Sequence, residues 1–220
     1  MTALLLRRVA KPFTLVSFDN HPDWDIRPPH WCCGTWFNRA LELPQLRQAV
    51  VWGCANGELN WPGRLFARRE PRLHAHPWAE RTAPASQRIW QAVTRENWRE
   101  KFSAFAAQLP VKSVYVTVDL DCLNLTEART NWEAGLFTAA EVAWALRELR
   151  QHTEVVGGDV CGAWSAPSYE RPFQKLAGWI DHPRPAAVAA AAAQAGNLRT
   201  LARIWPALIG GDERHARADK

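Results

Sequence analysis

A chain of 220 residues can bury a single sizeable core, as one α/β domain of ordinary length does. Its formal net charge of +5 comes from scattered arginines rather than a basic tract, which argues against a nucleic-acid partner. The five cysteines (Cys32, Cys33, Cys54, Cys122 and Cys161) are odd in number and contain no Cys-x-x-Cys pair, which argues against a disulfide framework and against structural zinc.

Residues 1–9 place Arg7 and Arg8 after only three leucines, which is neither a signal peptide nor a membrane span. A cytoplasmic protein with no membrane partner is expected. The apolar, β-branched run 13–18 reads as a buried strand, followed by a Pro/Trp/Cys-rich loop over 22–36. A short helix is expected over 37–43, stopped before Pro44, and a second strand over 49–54. The segment 55–85, rich in Pro and Arg, reads as a long surface excursion in which His74 and His76 are exposed. Ile89, Trp90, Val93, Trp98, Phe102, Phe105 and Leu109 recur at helical spacing, which predicts one helix over 86–109 ended by Pro110. Further along come a strand over 113–118, a helix over 139–150, a strand over 153–161 and an Ala-rich helix over 186–204. Strand–helix alternation implies a three-layer αβα domain with a mainly parallel sheet, covering 1–205, with a flexible tail over 206–220. The 13 tryptophans are expected to pack in the core and line pocket walls.

Two acidic clusters follow buried strands directly: Asp19-Asn20-His21-Pro22-Asp23 and Asp119-Leu120-Asp121. Alternation along an extended backbone puts Asp19, His21 and Asp23 on one side, and likewise Asp119 and Asp121. A desolvated bare carboxylate is costly, and no Lys or Arg run lies nearby to neutralise these groups. Four carboxylates and one imidazole therefore point to a metal site, with an oxygen-rich set suited to Mn²⁺, Mg²⁺ or Fe²⁺. In such sheets ligands collect beyond the carboxyl ends of the strands, where both clusters fall.

The same residues carry a resemblance. SFDNHPDWD (17–25) and VTVDLDCLN (116–124) resemble the Asp-x-His-x-Asp and Asp-x-Asp signatures of the arginase/agmatinase ureohydrolase family. CGTWFNRA (33–40), WEAGLFTAAEV (132–142) and GGDVCGAWSAP (157–167) are similar, in the right order, to three supporting segments of that family. The resemblance implies an arginase-like fold and a binuclear Mn²⁺ centre. Asp19 and Asp119 would bridge two ions, His21 and Asp121 would bind one, and Asp23 the other. Water held between two cations loses a proton near neutral pH, so hydrolysis of a linear C–N bond in a guanidino or amidine-like small-molecule substrate follows. Asp121 belongs with the catalytic groups, Cys33 or His30 would move protons, and Glu133 and Asn131 would meet the substrate. Asp25 is expected to support His21 or Trp24, and a homo-oligomer is the expected assembly.

Three departures from the family pattern qualify this. The family's other histidine ligand has no counterpart, so either the chain begins late or the site holds one metal well. Cys33 stands where agmatinases have histidine. Gly162 stands where the family's guanidinium-binding glutamate falls, so arginine and agmatine are expected to be poor substrates. The alternative is a catalytically inactive arginase-like protein with a binding or structural role.

Overall fold

The computed structural model describes residues 1–28, 30–166, 168, 170–181 and 189–211. Five strands, β1 (Phe13–Phe18), β2 (Leu46–Trp52), β3 (Leu73–His76), β4 (Ser113–Asp119) and β5 (Glu154–Cys161), form one sheet in the order β3-β2-β1-β4-β5. Every neighbouring pair is parallel. The helices are α1 (Thr2–Leu6), α2 (Trp36–Ala40), α3 (Pro84–Ile89), α4 (Trp98–Ala107), α5 (Ala139–His152), α6 (Pro172–Asp181) and α7 (Ala190–Ile209).

All six residues of β1 are buried, because the sheet is covered on both faces and alternation is lost. On one face Val16, Phe18, Trp52, Val116 and Val118 pack with Phe102 of α4, Leu146 and Leu149 of α5, and Ile204 and Leu208 of α7. On the other, Phe13, Leu15, Val51 and Tyr115 pack with Leu6 of α1 and with Phe37 and Ala40 of α2. This is the expected three-layer αβα sandwich. Helix α5 starts where its sequence directs: Thr138 Oγ1 accepts from the Glu141 N–H at 3.1 Å, and Glu141 Oε2 accepts from the Thr138 N–H at 2.8 Å. Such reciprocal caps stabilise a helix start by about 1 kcal/mol.

Three expectations need correction. The excursion 55–85 contains β3, a short edge strand whose Leu-His-Ala-His alternation reads as loop. Within it His76 is only 6% exposed. Its ring stacks on Trp52 at 3.8 Å, and its Nδ1 lies 3.1 Å from the Gln91 carbonyl oxygen. The helix expected over 86–109 is two helices, because Trp90 packs on the α1–α2 side of the sheet while Val93 packs on the other. An unbroken helix would not deliver both. Finally, α7 runs on to Ile209 and carries Pro206 inside it, with Ala207 and Leu208 buried; it ends at Gly210 in the left-handed conformation at φ +78°. The expected tail thus begins as helix, and 212–220 lie outside the described residues.

Strand β1 has β2 on one side and β4 on the other, so the chain's connections diverge between β1 and β4. In open parallel sheets ligands bind beyond the carboxyl ends of the strands at such a divergence. Asp19 directly follows β1, and Asp119 is the last residue of β4.

Candidate metal centre

Both acidic turns are built the same way. Asp19 Oδ1 accepts from the His21 N–H at 2.8 Å, and Asp119 Oδ1 accepts from the Asp121 N–H at 3.0 Å. Each leading carboxylate thus folds its own backbone round and fixes the second ligand candidate two residues on. The turns are then tied together by Asp121. Its Oδ1 accepts from the Asn20 N–H at 3.1 Å, and its Oδ2 lies 2.9 Å from His21 Nδ1. Asn20 anchors the arrangement by donating from Nδ2 to the Glu133 carbonyl at 3.0 Å and accepting at Oδ1 from the Ala55 N–H at 3.1 Å.

One candidate ligand atom from each of Asp19, His21 and Asp121 lies within 4.8 Å of the others. Asp19 and Asp121 are 3% and 2% exposed. Asp23 stands next to them with φ +52°, a left-handed conformation uncommon for a residue with a side chain. Its Oδ2 accepts from Trp36 Nε1 at 2.7 Å. Strain of this kind persists where the surroundings fix it, here the Trp36 indole and the Phe37 N–H on the Asp23 carbonyl.

The electrostatics describe a site short of positive charge. Burial, then the neighbouring carboxylates, raises Asp19 well above the usual carboxylate range. Burial also raises Asp23, and burial followed by Asp121 pushes Asp119 up to about 7. Burial acts against a charged His21, yet Asp121 on one ring nitrogen and Glu133 on the other hold it up to about 11. No Lys or Arg forms an ion pair with Asp19, Asp23, Asp119 or Asp121 among the described residues. A divalent cation fits this donor set: carboxylate oxygens and an imidazole nitrogen, converging, with no Lys or Arg paired to them among the described residues.

The remaining predicted residues fall around this cluster unevenly. Glu133 Oε2 is 3.4 Å from His21 Nε2, at the open side of the centre. Trp132 sets its ring edge-on to His21 at 5.5 Å. Asn131, expected to meet substrate, spends both ends of its amide on Ser165, at 2.9 Å each, and so ties two loops together. His30 is exposed on its loop, and no described contact joins it to the cluster. Cys33 is exposed where it opens a 3-10 turn ahead of α2, and desolvation followed by the Asp23 carboxylate pushes its thiol up to about 11. Asp25 does not support His21; it pairs with Arg27, with Nε to Oδ2 at 2.8 Å. Asp159 is structural, accepting from Tyr115 OH at 2.8 Å, Thr117 Oγ1 at 2.8 Å and Thr2 Oγ1 at 3.0 Å. The roles of Asn20 and Trp36 here are not legible in the sequence. An Asn between two ligand candidates and a Trp among many give no local signal. Cavities of about 530 Å³ beside Arg8 and Tyr115, and of about 460 Å³ beside His76 and Phe105, carry no converging carboxylates. Chemistry rather than volume locates this centre.

A sequence model described as the arginase family matches residues 2–171. The chain belongs to the arginase family. It is 26% identical over 163 residues to a curated Thermotoga maritima protein named only as uncharacterized, spanning 74% of this chain and 52% of that one. Among solved structures, formimidoylglutamase from Bacillus subtilis superposes with a TM-score of 0.57 at 14% identity, over 96% of this chain and 56% of that one. Agmatine ureohydrolase of Thermoplasma volcanium gives 0.55 at 16% identity, over 100% and 61%, and proclavaminate amidino hydrolase from Streptomyces clavuligerus 0.55 at 18%, over 96% and 60%. At such identities these likenesses carry the fold alone. The chain spans about half to three-fifths of the length of these relatives.

Proposed function

We propose that this protein is a metal-dependent hydrolase of a linear C–N bond in a guanidino or amidine-like small molecule. The observation that carries it is the convergence of Asp19, His21 and Asp121 at the carboxyl ends of the neighbouring strands β1 and β4, with both carboxylates buried and no Lys or Arg paired to them among the described residues. Asp19, His21 and Asp121 would hold the ion, with Asp23 and Asp119 beside them. Mn²⁺ is named with the Trypanosoma cruzi formiminoglutamase variant, whose fold matches this chain at a TM-score of 0.51, and family membership favours the same metal here. A bound divalent ion supplies Lewis acidity that makes water acidic near neutral pH.

The chain's own residues supply orientation and recognition. Asp121 fixes the His21 ring through Nδ1 and holds the first turn through the Asn20 N–H. Glu133 offers carboxylate oxygens at the open side, where a cationic N–H group of a substrate would meet them. Trp132 walls His21 off from bulk water on one side. Arginine and agmatine are disfavoured because Gly162 presents backbone, not a carboxylate, next to Asp119. That same observation favours a second reading, an arginase-like protein that binds but does not hydrolyse.

Purified protein, freed of metal and then loaded with Mn²⁺, should release urea from a guanidino compound, or an amide such as formamide from an amidino or formimino compound, in each case with the free amine, for some member of a panel of such compounds. Asp121→Asn should abolish the release. Silence across the panel with metal bound would decide for the binding reading.

A further inference from the structure

Alternation along β3 sends Leu73 and Ala75 into one core and turns His74 and His76 to the other face of the sheet, which α4 covers. Gln48 of β2 shares that face, two residues before Val50, the register partner of His74. Opposite them α4 presents Lys101, Phe105 and Gln108, spaced i, i+4 and i+7 along one side of the helix. These side chains enclose the cavity of about 460 Å³ at the β3 edge of the sheet.

His76 is almost wholly buried, yet only one of its ring nitrogens is engaged. Nδ1 faces the Gln91 carbonyl oxygen, which can only accept, so Nδ1 carries the hydrogen and Nε2 the lone pair. Burial keeps the ring neutral at physiological pH. Nε2 has no hydrogen-bond partner among the described residues. Gln48 Oε1 is buried on the same wall and likewise has no partner among the described residues. Lys101 Nζ donates to the Ala92 carbonyl oxygen at 2.9 Å, which tethers the ammonium beside the cavity and leaves two of its hydrogens to spare. No Asp or Glu lines the cavity among the described residues.

Two acceptors short of donors, one tethered cation and no carboxylate define what fits. An amine or guanidinium would meet Lys101 with no opposite charge to offset the repulsion, so the cationic substrates proposed for the metal centre do not belong here. A bare anion would suit Lys101 but leave the buried acceptors unsatisfied. A molecule that carries both a carboxylate and a hydroxyl answers both needs, with its carbon skeleton against Phe105. We propose that this cavity binds a small hydroxycarboxylate, its carboxylate on Lys101 and its hydroxyl donating to His76 Nε2. The site is separate from the acidic centre, because β2 stands between β3 and β1 in the sheet.

Imidazole-nitrogen NMR reads the two places independently, since His76 reports the cavity and His21 the metal centre. The full chain, labelled with ¹⁵N and held in excess Mg²⁺ near neutral pH, is titrated with lactate, propionate and ethanolamine. His76→Gln assigns the His76 signals by losing them. Lactate should shift the His76 Nε2 resonance saturably. Propionate, the same skeleton without the hydroxyl, should bind roughly three- to tenfold more weakly, the loss of one hydrogen bond. Ethanolamine should leave the resonance where it is. Lys101→Met, a change at an exposed position that should fold normally, should weaken lactate binding by roughly tenfold or more through loss of a charge-assisted contact. No saturable shift at His76, equal binding of lactate and propionate, or an undiminished response in Lys101→Met would overturn the proposal. A response at His21 alone would place the acid at the metal centre and overturn it equally.

Discussion

Gly162 lies so close to Asp119 that a Cβ built on it would meet the carboxylate Oδ1 at 1.8 Å. The backbone at Gly162 also has φ +79°, where a side chain is strained whatever the space. Gly162→Ala should therefore lower stability by about 1–3 kcal/mol, from strain at the left-handed position together with the contact. It should also weaken divalent-ion binding, because Asp119 must swing away. Urea denaturation and a metal titration check the two effects separately. If both are unchanged, the loop after β5 relaxes freely and Asp119 is not held by backbone. The same geometry implies that Gly162→Glu does not restore arginase-like recognition, since the new side chain starts inside the space of a proposed ligand.

Metal should stabilise the fold. An ion that binds the folded chain alone adds about 2.7 kcal/mol when its concentration is a hundred times its dissociation constant. Thermal melts with and without Mn²⁺ should show a rise in Tm that chelator reverses. Asp121→Asn should remove most of the rise, because Asp121 lies in the converging group and also positions His21 at 2.9 Å. An undiminished rise in that variant would place the ion elsewhere.

His76 gives a pH dependence separate from the metal site. Burial, with smaller contributions from His74 and Lys101, lowers its pKa to about 4, against the hydrogen bond to the Gln91 carbonyl oxygen. The folded chain thus refuses a proton that the unfolded chain accepts below about 6.5. Stability from this residue is complete above about pH 6.5 and is lost as pH falls towards 4. The loss is roughly 3 kcal/mol at most. His76→Gln keeps a donor for the Gln91 carbonyl oxygen but does not titrate. The difference in unfolding free energy between His76→Gln and the unmodified protein should therefore change across that window and level off above it. A constant difference would show that His76 is not buried as a neutral ring.

Much of the architecture could be read locally. The β-branched runs before Asp19 and Asp119, and the Thr138–Glu141 capping box, are contiguous signals that decide their own elements. The expected packing role of tryptophan also holds at Trp24, Trp52, Trp78 and Trp98, all fully buried. What sequence did not reveal depends on partners far along the chain. Strand β3 is four residues with two histidines, and becomes a strand only because β2 offers its edge. The break between α3 and α4 reflects two core clusters competing for Trp90 and Val93. At the centre, sequence named the acidic groups, but their convergence depends on β1 and β4 being neighbours. The hold of Trp36 on Asp23 and the nearness of Cys161 to Asp119 depend on three-dimensional register alone.

Glu133 stands at the open side of the centre with two roles to tell apart. Its Oε2 is 3.4 Å from His21 Nε2, and the hydrogen bond with His21 keeps its carboxyl below the usual range. If it receives a cationic substrate group, Glu133→Gln removes one charge-assisted hydrogen bond, about 1.5–3 kcal/mol, or roughly ten- to a hundredfold in kcat/KM. That loss should appear chiefly in KM, with Mn²⁺ affinity unchanged. If Glu133 instead orients His21 towards an ion, the same substitution should weaken metal binding by about ten- to a hundredfold, as loss of a partner to a ligating histidine does. The side chain is about half exposed and reaches outward, which favours the first role. We therefore expect a KM effect on whichever cationic amidine the Mn²⁺-loaded protein turns over. Arginine and agmatine should remain poor in both proteins, because Gly162 places no second carboxylate in reach. Efficient urea release from arginine, lost in Glu133→Gln with metal still bound, would show that Glu133 alone has taken over the guanidinium.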